Sequence, residues 1–123
     1  MIAHASLPVS NYKNAKEFYS KALASLGYTN NMEYGEAAGF IEGGHTSFWI
    51  GVNPKGVVPS HIAFEAKNKE AVDGFYKVAM ESGAKDNGAP GYRTEYWPGY
   101  YAAFVYDADG HNVEAVWYDY SEE

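Results

Sequence analysis

The sequence predicts an α+β domain made of two tandem βαβββ modules, and three observations carry that prediction. A strand-like run, Ser60-His61-Ile62-Ala63-Phe64-Glu65-Ala66, leads directly into a helix-like run containing Phe75-Tyr76. The same unit stands earlier in the chain at a constant offset of 57 positions: His61 matches His4, Phe64 matches Leu7, Asn68 matches Asn11, Ala79 matches Ala22 and Met80 matches Leu23. Finally, 123 residues, 46% hydrophobic and 20% charged, are enough for one domain with a real core and too few for two. The modules are therefore read as 1–53 and 60–123, joined by 54–59 within a single domain.

Each element follows from its own pattern. Ile2 to Val9 alternates, with Ala3, Ala5, Leu7 and Val9 on one side and Ile2, His4 and Ser6 on the other. Asn11 is placed to cap a helix whose Ala15, Phe18, Tyr19, Ala22, Leu23 and Leu26 recur at helical spacing, and Gly27 ends it. Short strands are expected around Met32–Tyr34, Ala38–Ile41 and Thr46–Val52, with Gly43-Gly44 as a hairpin turn. Asn53-Pro54-Lys55-Gly56 has turn chemistry and opens the joint. In the second copy Asn68 caps a helix with Val72, Phe75, Tyr76, Ala79 and Met80 on its apolar stripe, closed by Gly83. Lys85–Gly99 reads as a long irregular segment of glycine, proline and aromatics. Tyr101–Tyr106 and Asn112–Tyr118 are strands joined by the Asp107-Ala108-Asp109-Gly110 turn.

Composition removes several function classes. A net charge of −7 with a single arginine, Arg93, argues against a nucleic-acid surface. No apolar run approaches the roughly 20 residues a membrane helix needs, and the chain opens on a strand pattern, not a leader peptide. With no cysteine there are no disulfides, thiolate ligands or cysteine nucleophile. A soluble cytoplasmic protein that handles a small molecule, with neither nucleic acid nor membrane as partner, is the expectation.

The repeated histidines carry the chemistry. If each helix packs on the Leu7/Phe64 side of its strands, His4 and His61 lie on the helix-free side, and Glu114 shares that parity in the last strand. Two imidazoles and a carboxylate suit a divalent first-row metal with open coordination positions. A carboxylate turned inward without a partner costs several kcal/mol, and a bound cation removes that cost. The plainer alternative gives each histidine a hydrogen-bonding neighbour and leaves Glu114 at a solvated rim.

Three segments bear a resemblance to a known family: His4 to Gly27 with its Phe18-Tyr19, the His61-Ile62-Ala63-Phe64 strand, and Ala103 to Glu114 with its Asp107-Ala108-Asp109-Gly110 turn. Together they make the chain resemble the vicinal oxygen chelate superfamily, which includes glyoxalase I, extradiol dioxygenases and the fosfomycin- and bleomycin-resistance proteins. The run Asp86-Asn87-Gly88-Ala89-Pro90-Gly91 resembles a small glyoxalase-like subgroup. The resemblance implies paired βαβββ modules forming a curved mixed sheet around a cleft with one divalent ion (Zn, Ni, Mn or Fe(II)), and His4, His61 and Glu114 on three of four ligand positions. The fourth falls on Trp49, where glyoxalase I carries a glutamate; indole N–H is no metal ligand. That departure weighs against glyoxalase I activity. What remains is a metal-dependent lyase, isomerase, transferase or dioxygenase acting on adjacent substrate oxygens, or else a non-catalytic binding protein of the bleomycin-resistance type. The resemblance also implies a homodimer, with the site shared between chains as one alternative and built within one chain as the other.

Other residues have two readings each. Arg93 grips an anionic substrate beside aromatic rings, or pairs with Glu95 or another acid. Tyr101 lines the cavity or serves, with Glu114, as acid/base, or it simply packs. Trp49 forms an apolar wall, and Tyr96 joins Arg93 in contacting substrate. His45 and His111 fall in turns and are expected to be solvated. Phe18-Tyr19 and Phe75-Tyr76 are expected in the core.

Overall fold

Asn11 and Asn68 start the two helices, each side-chain oxygen accepting from the backbone N–H three residues on, at 3.0 Å from Asn14 and 2.8 Å from Ala71. The computed structural model describes residues 1–122. Strand β1 (Ala5–Val9) leads into α1 (Tyr12–Ala22) and a 3-10 turn (Leu23–Leu26), followed by β2 (Thr29–Tyr34), β3 (Ala37–Glu42) and β4 (His45–Val52). The second copy runs β5 (His61–Glu65), α2 (Lys69–Glu81), β6 (Lys85–Tyr92), β7 (Tyr100–Tyr106) and β8 (Asn112–Tyr118). The strands form two four-stranded mixed sheets, ordered β1-β4-β3-β2 and β5-β8-β7-β6. In each, the first strand runs parallel to the last and the other pairs are antiparallel. This is the predicted α+β architecture of two repeated βαβββ units. Among the described residues no helix is long and apolar enough to cross a membrane.

Two strand assignments need correction. The first strand begins at Ala5, not Ile2, so His4 stands just ahead of it, exposed. Lys85–Tyr92 is a strand, although glycine and proline disguise it. β6 is an edge strand, so Pro90 costs no inner ladder bond. Its pairing with β7 slips between Asp86 and Gly88 and again between Gly88 and Gly91.

One core serves both modules. Leu7, Phe48 and Ile50 of the first sheet pack in the same cluster as Phe64, Val105 and Val113 of the second, with Tyr19, Leu23, Val72 and Phe75 from the helical segments. Phe48 meets Phe64 edge-on at 5.0 Å between centroids, and Tyr28 meets Phe64 at 5.4 Å. Tyr19 and Phe75 of the two aromatic pairs are fully buried, as expected, with Phe18 and Tyr76 packed against them. Because the helix-bearing faces share this core, the helix-free faces lie outside it.

A polar junction reinforces the contact, and it overturns the expectation for His111, which is fully buried instead of solvated. Its Nδ1 accepts from the Ser60 N–H at 2.9 Å, so Nε2 carries the proton and donates to the Pro8 carbonyl at 2.6 Å. Tyr19 donates to Asp107 at 2.6 Å, and the Ser10 N–H to Asp109 at 3.1 Å. The turn that looked like a surface hairpin is thus folded against the other module. His45, by contrast, is exposed, with Nε2 3.2 Å from the Ala3 carbonyl oxygen.

Candidate functional site

Alternation along β8 puts Val113 and Ala115 in the shared core and Glu114 on the opposite face. Antiparallel pairing sets Phe104 beside Glu114, Ala102 beside Val116 and Tyr100 beside Tyr118. These residues make a small apolar patch of their own, formed by Ala102, Phe104 and Val116 with Tyr100 and Tyr118 packed against it. Glu114 sits among them at 2% exposure, too deep to be solvated.

Both of its oxygens are engaged. Oε1 lies 2.8 Å from His61 Nε2, and Oε2 accepts a short hydrogen bond from the Tyr100 hydroxyl. Burial first, and then the bond to Glu114, hold the Tyr100 phenol well above the ordinary tyrosine pKa. At neutral pH Tyr100 is therefore a proton donor to the carboxylate and not a base. His61 is 54% exposed at its side chain, so its ring forms the open side of the pair.

His61 and Glu114 are thus brought together, and His4 is not. His4 lies on the helix-free side of the first sheet, lining a shallow depression with Ser6, Trp49 and Gly51. Among the described residues no three His, Asp or Glu side chains of the chain are placed to hold one ion. Two donors nevertheless fit a metal. Nitrogen and oxygen atoms 2.8 Å apart have the spacing of neighbouring ligands around an ion with bonds of about 2.0–2.1 Å.

The two sheets can be compared position by position. Ser6 pairs with Trp49 in the first, and its repeat equivalent Ala63 pairs with Glu114 in the second. Trp49 therefore holds the register position in its sheet that Glu114 holds in the other. Its ring lies close against Gly39, where a Cβ would come within 2.9 Å, and it stacks on Tyr34 at 6.0 Å.

Tyr101 stands on the other side of β7. It is buried in the shared core, and its hydroxyl donates to Asp73 of α2 at 2.5 Å. Tyr100 is the tyrosine that reaches Glu114, and strand parity was the signal for it: 100, 102 and 104 share a face with 114. Tyr96, 63% exposed, meets the Tyr100 ring edge-on at 5.2 Å. Arg93 lies over the Phe104 ring, 5.4 Å from its centroid, and donates from Nη2 to the Ala89 carbonyl at 2.7 Å. A cavity of about 450 Å³ lies elsewhere, between α1, the end of α2 and the Asp107–Asp109 turn. It contains none of these side chains.

A sequence profile described as Glyoxalase/Bleomycin resistance protein/Dioxygenase superfamily matches residues 1–115. The chain belongs to that superfamily. Solved structures place the glyoxalase-type fold beside it. A glyoxalase/bleomycin resistance protein from Albidiferax ferrireducens T118 superposes with a TM-score of 0.84 at 23% identity, over 94% of this chain and 97% of that one. A glyoxalase/bleomycin resistance protein/dioxygenase family enzyme from Burkholderia phytofirmans PsJN gives 0.74 at 15% identity, over 96% and 98%. A glyoxalase-related enzyme from Fulvimarina pelagi gives 0.73 at 15%, over 95% and 87%. At such identities the likeness is one of fold. No curated protein sequence matches this glyoxalase-superfamily chain.

Proposed function

We propose that the chain is a divalent-metal-dependent enzyme acting on a small, oxygen-rich substrate, with His61 and Glu114 of one chain and His4 of a second chain around each ion. The observation that carries this reading is the buried Glu114 carboxylate held 2.8 Å from His61 Nε2 on an open sheet face. Superfamily membership supports it, because a divalent ion is common among members. The position of His4, on a separate outward face, favours a twofold homodimer over a site within one chain. A cytoplasmic location fits the acidic, cysteine-free composition.

When bound, the ion supplies Lewis acidity toward adjacent substrate oxygens. The chain's own residues do the rest. Tyr100 ties down Oε2, His61 meets Oε1 on the open side, and Phe104 stands beside the carboxylate on the neighbouring strand. Glu114, once displaced from the ion, is the candidate base, since Tyr100 keeps its proton and Tyr101 faces the core. Lyase, isomerase, transferase and dioxygenase chemistry all suit this arrangement, whereas Trp49 in place of a carboxylate argues against glyoxalase I turnover. The second reading, a non-catalytic binding protein, is favoured by the Trp49–Tyr34 stack, which offers an aromatic ligand a flat wall.

Two measurements on the same protein test the proposal. Titration of untagged protein with Zn, Ni, Mn and Fe(II) is expected to give one ion per chain; no binding of any of the four turns the reading to the binding protein. Mixing His4→Ala with Glu114→Ala chains and allowing exchange is expected to restore one intact site per mixed dimer. A monomer at micromolar concentration, or no recovery after verified exchange, sinks the shared site.

A further inference from the structure

Arg93 is the chain's one guanidinium among 16 acidic residues, yet among the described residues no carboxylate lies within ion-pair distance of it. It has been drawn away from them. Its Nη2 donates to the Ala89 carbonyl, and its plane rests on the Phe104 ring. The guanidinium lies close over the β6 backbone, with Nη2 2.9 Å from where a Cβ at Gly88 would stand and Nη1 3.0 Å from one at Gly91. The two register slips of β6 fall at these glycines. A guanidinium needs no such seat to be solvated. The seat fixes a planar donor array whose remaining N–H groups have no carboxylate to satisfy them.

The location matters as much as the seat. Phe104 pairs with Glu114 across β7 and β8, and the His61 and Phe104 ring centroids are 6.5 Å apart. Phe104 is therefore a shared neighbour of Arg93 and of the His61–Glu114 pair. The Arg93 N–H also donates to the Tyr100 carbonyl at 2.7 Å, so the residue carrying the guanidinium and the residue clamping Glu114 are fastened to each other.

We propose that Arg93, seated on Phe104 between Gly88 and Gly91, is an oxyanion subsite, and that the substrate carries a carboxylate or phosphoryl group besides the oxygens it presents at His61 and Glu114. This rests on the function proposed above for that face and names the class of molecule it takes. The donor fork reads the two oxygens of such a group in one plane, while Phe104 beneath keeps water from one side of the contact. In a chain of net charge −7, this local positive centre also gives an anionic substrate its point of entry.

A single arginine makes the test unusually direct, because its Nε–H gives one self-identifying side-chain signal in a ¹H–¹⁵N spectrum. Metal-free protein is titrated separately with inorganic phosphate and with acetate. The Arg93 signal is expected to shift to saturation with at least one of them, and the tighter of the two identifies the phosphoryl or the carboxylate class. Gly91→Ala, which retains Arg93 but crowds Nη1, is expected to weaken that binding at least tenfold. An Arg93 signal that does not move, or moves in proportion to salt without saturating, overturns the proposal on the wild-type protein alone. Equal saturation in Gly91→Ala removes the role of the seat and overturns it too. Because no metal is present, a failed metal titration beside a saturating Arg93 signal sinks the metal reading and leaves the subsite, and the converse result sinks the subsite only.

Discussion

Replacing His111 by alanine is expected to destabilise the protein by about 2–5 kcal/mol. The imidazole is wholly buried and satisfies two backbone groups from distant parts of the chain, the Ser60 N–H and the Pro8 carbonyl. Alanine removes both bonds at a part-buried junction, where water can replace some of the loss, and opens a ring-sized cavity. For a domain of this size the loss corresponds to a fall in Tm of roughly 3–5 °C per kcal/mol. Urea unfolding measures it. His45→Ala is the matched control, since that ring is exposed and makes one contact at 3.2 Å. A His111→Ala variant within 0.5 kcal/mol of the wild type, a threshold on the order of a surface substitution, shows that the junction does not hold the modules together.

The substitution Glu114→Gln is expected to separate stability from function. Glutamine has nearly the same shape and can still accept from Tyr100, and removing a buried charge relieves its desolvation. The metal-free variant should unfold within about 1 kcal/mol of the wild type, or later. Its divalent-ion affinity should fall by at least about 100-fold, because a neutral amide oxygen replaces a carboxylate ligand. Tyr100→Phe removes only the hydrogen bond to Oε2, and a loss of about 10–100-fold is expected, as for other partners that orient a ligand. Calorimetric titration of the three proteins with one metal gives the order. Undiminished binding by Glu114→Gln means that the carboxylate is not a ligand.

The repeat was legible because duplication preserves spacing: one offset located both caps, both buried alanines and both histidines. It could not show which faces meet, since that depends on how the modules dock. His111 illustrates the limit. Its neighbours Asp109 and Gly110 have ordinary turn chemistry, and only Pro8 and Ser60, brought over from elsewhere, make the position buried. Lys85–Tyr92 was hidden because strand signals rest on alternation and β-branched residues, and this bulged edge strand has neither. Tyr100 was a matter of parity: adjacent tyrosines face opposite ways, and 100, not 101, shares a face with Phe104 and Glu114.

The junction around His111 also bears on the order in which the protein forms. Its bonds join residues 103 apart for His111 and Pro8, 99 for Ser10 and Asp109, and 88 for Tyr19 and Asp107. A growing chain completes β1–β4 well before the turn that satisfies Pro8 and Tyr19 has been synthesised. Until then Tyr19 and Phe40 pack on Phe48 from within the first module, but Tyr19 lacks Asp107 and the Pro8 carbonyl lacks His111, so the contact between the halves is completed only with the last strands. Contacts spanning nearly the whole chain carry the largest loop-closure cost and are expected to form after the rate-limiting step. Loss of the His111 bonds should then accelerate unfolding while leaving the folding rate almost unchanged. In kinetic terms the junction is a lock that closes last and governs how long the native state persists.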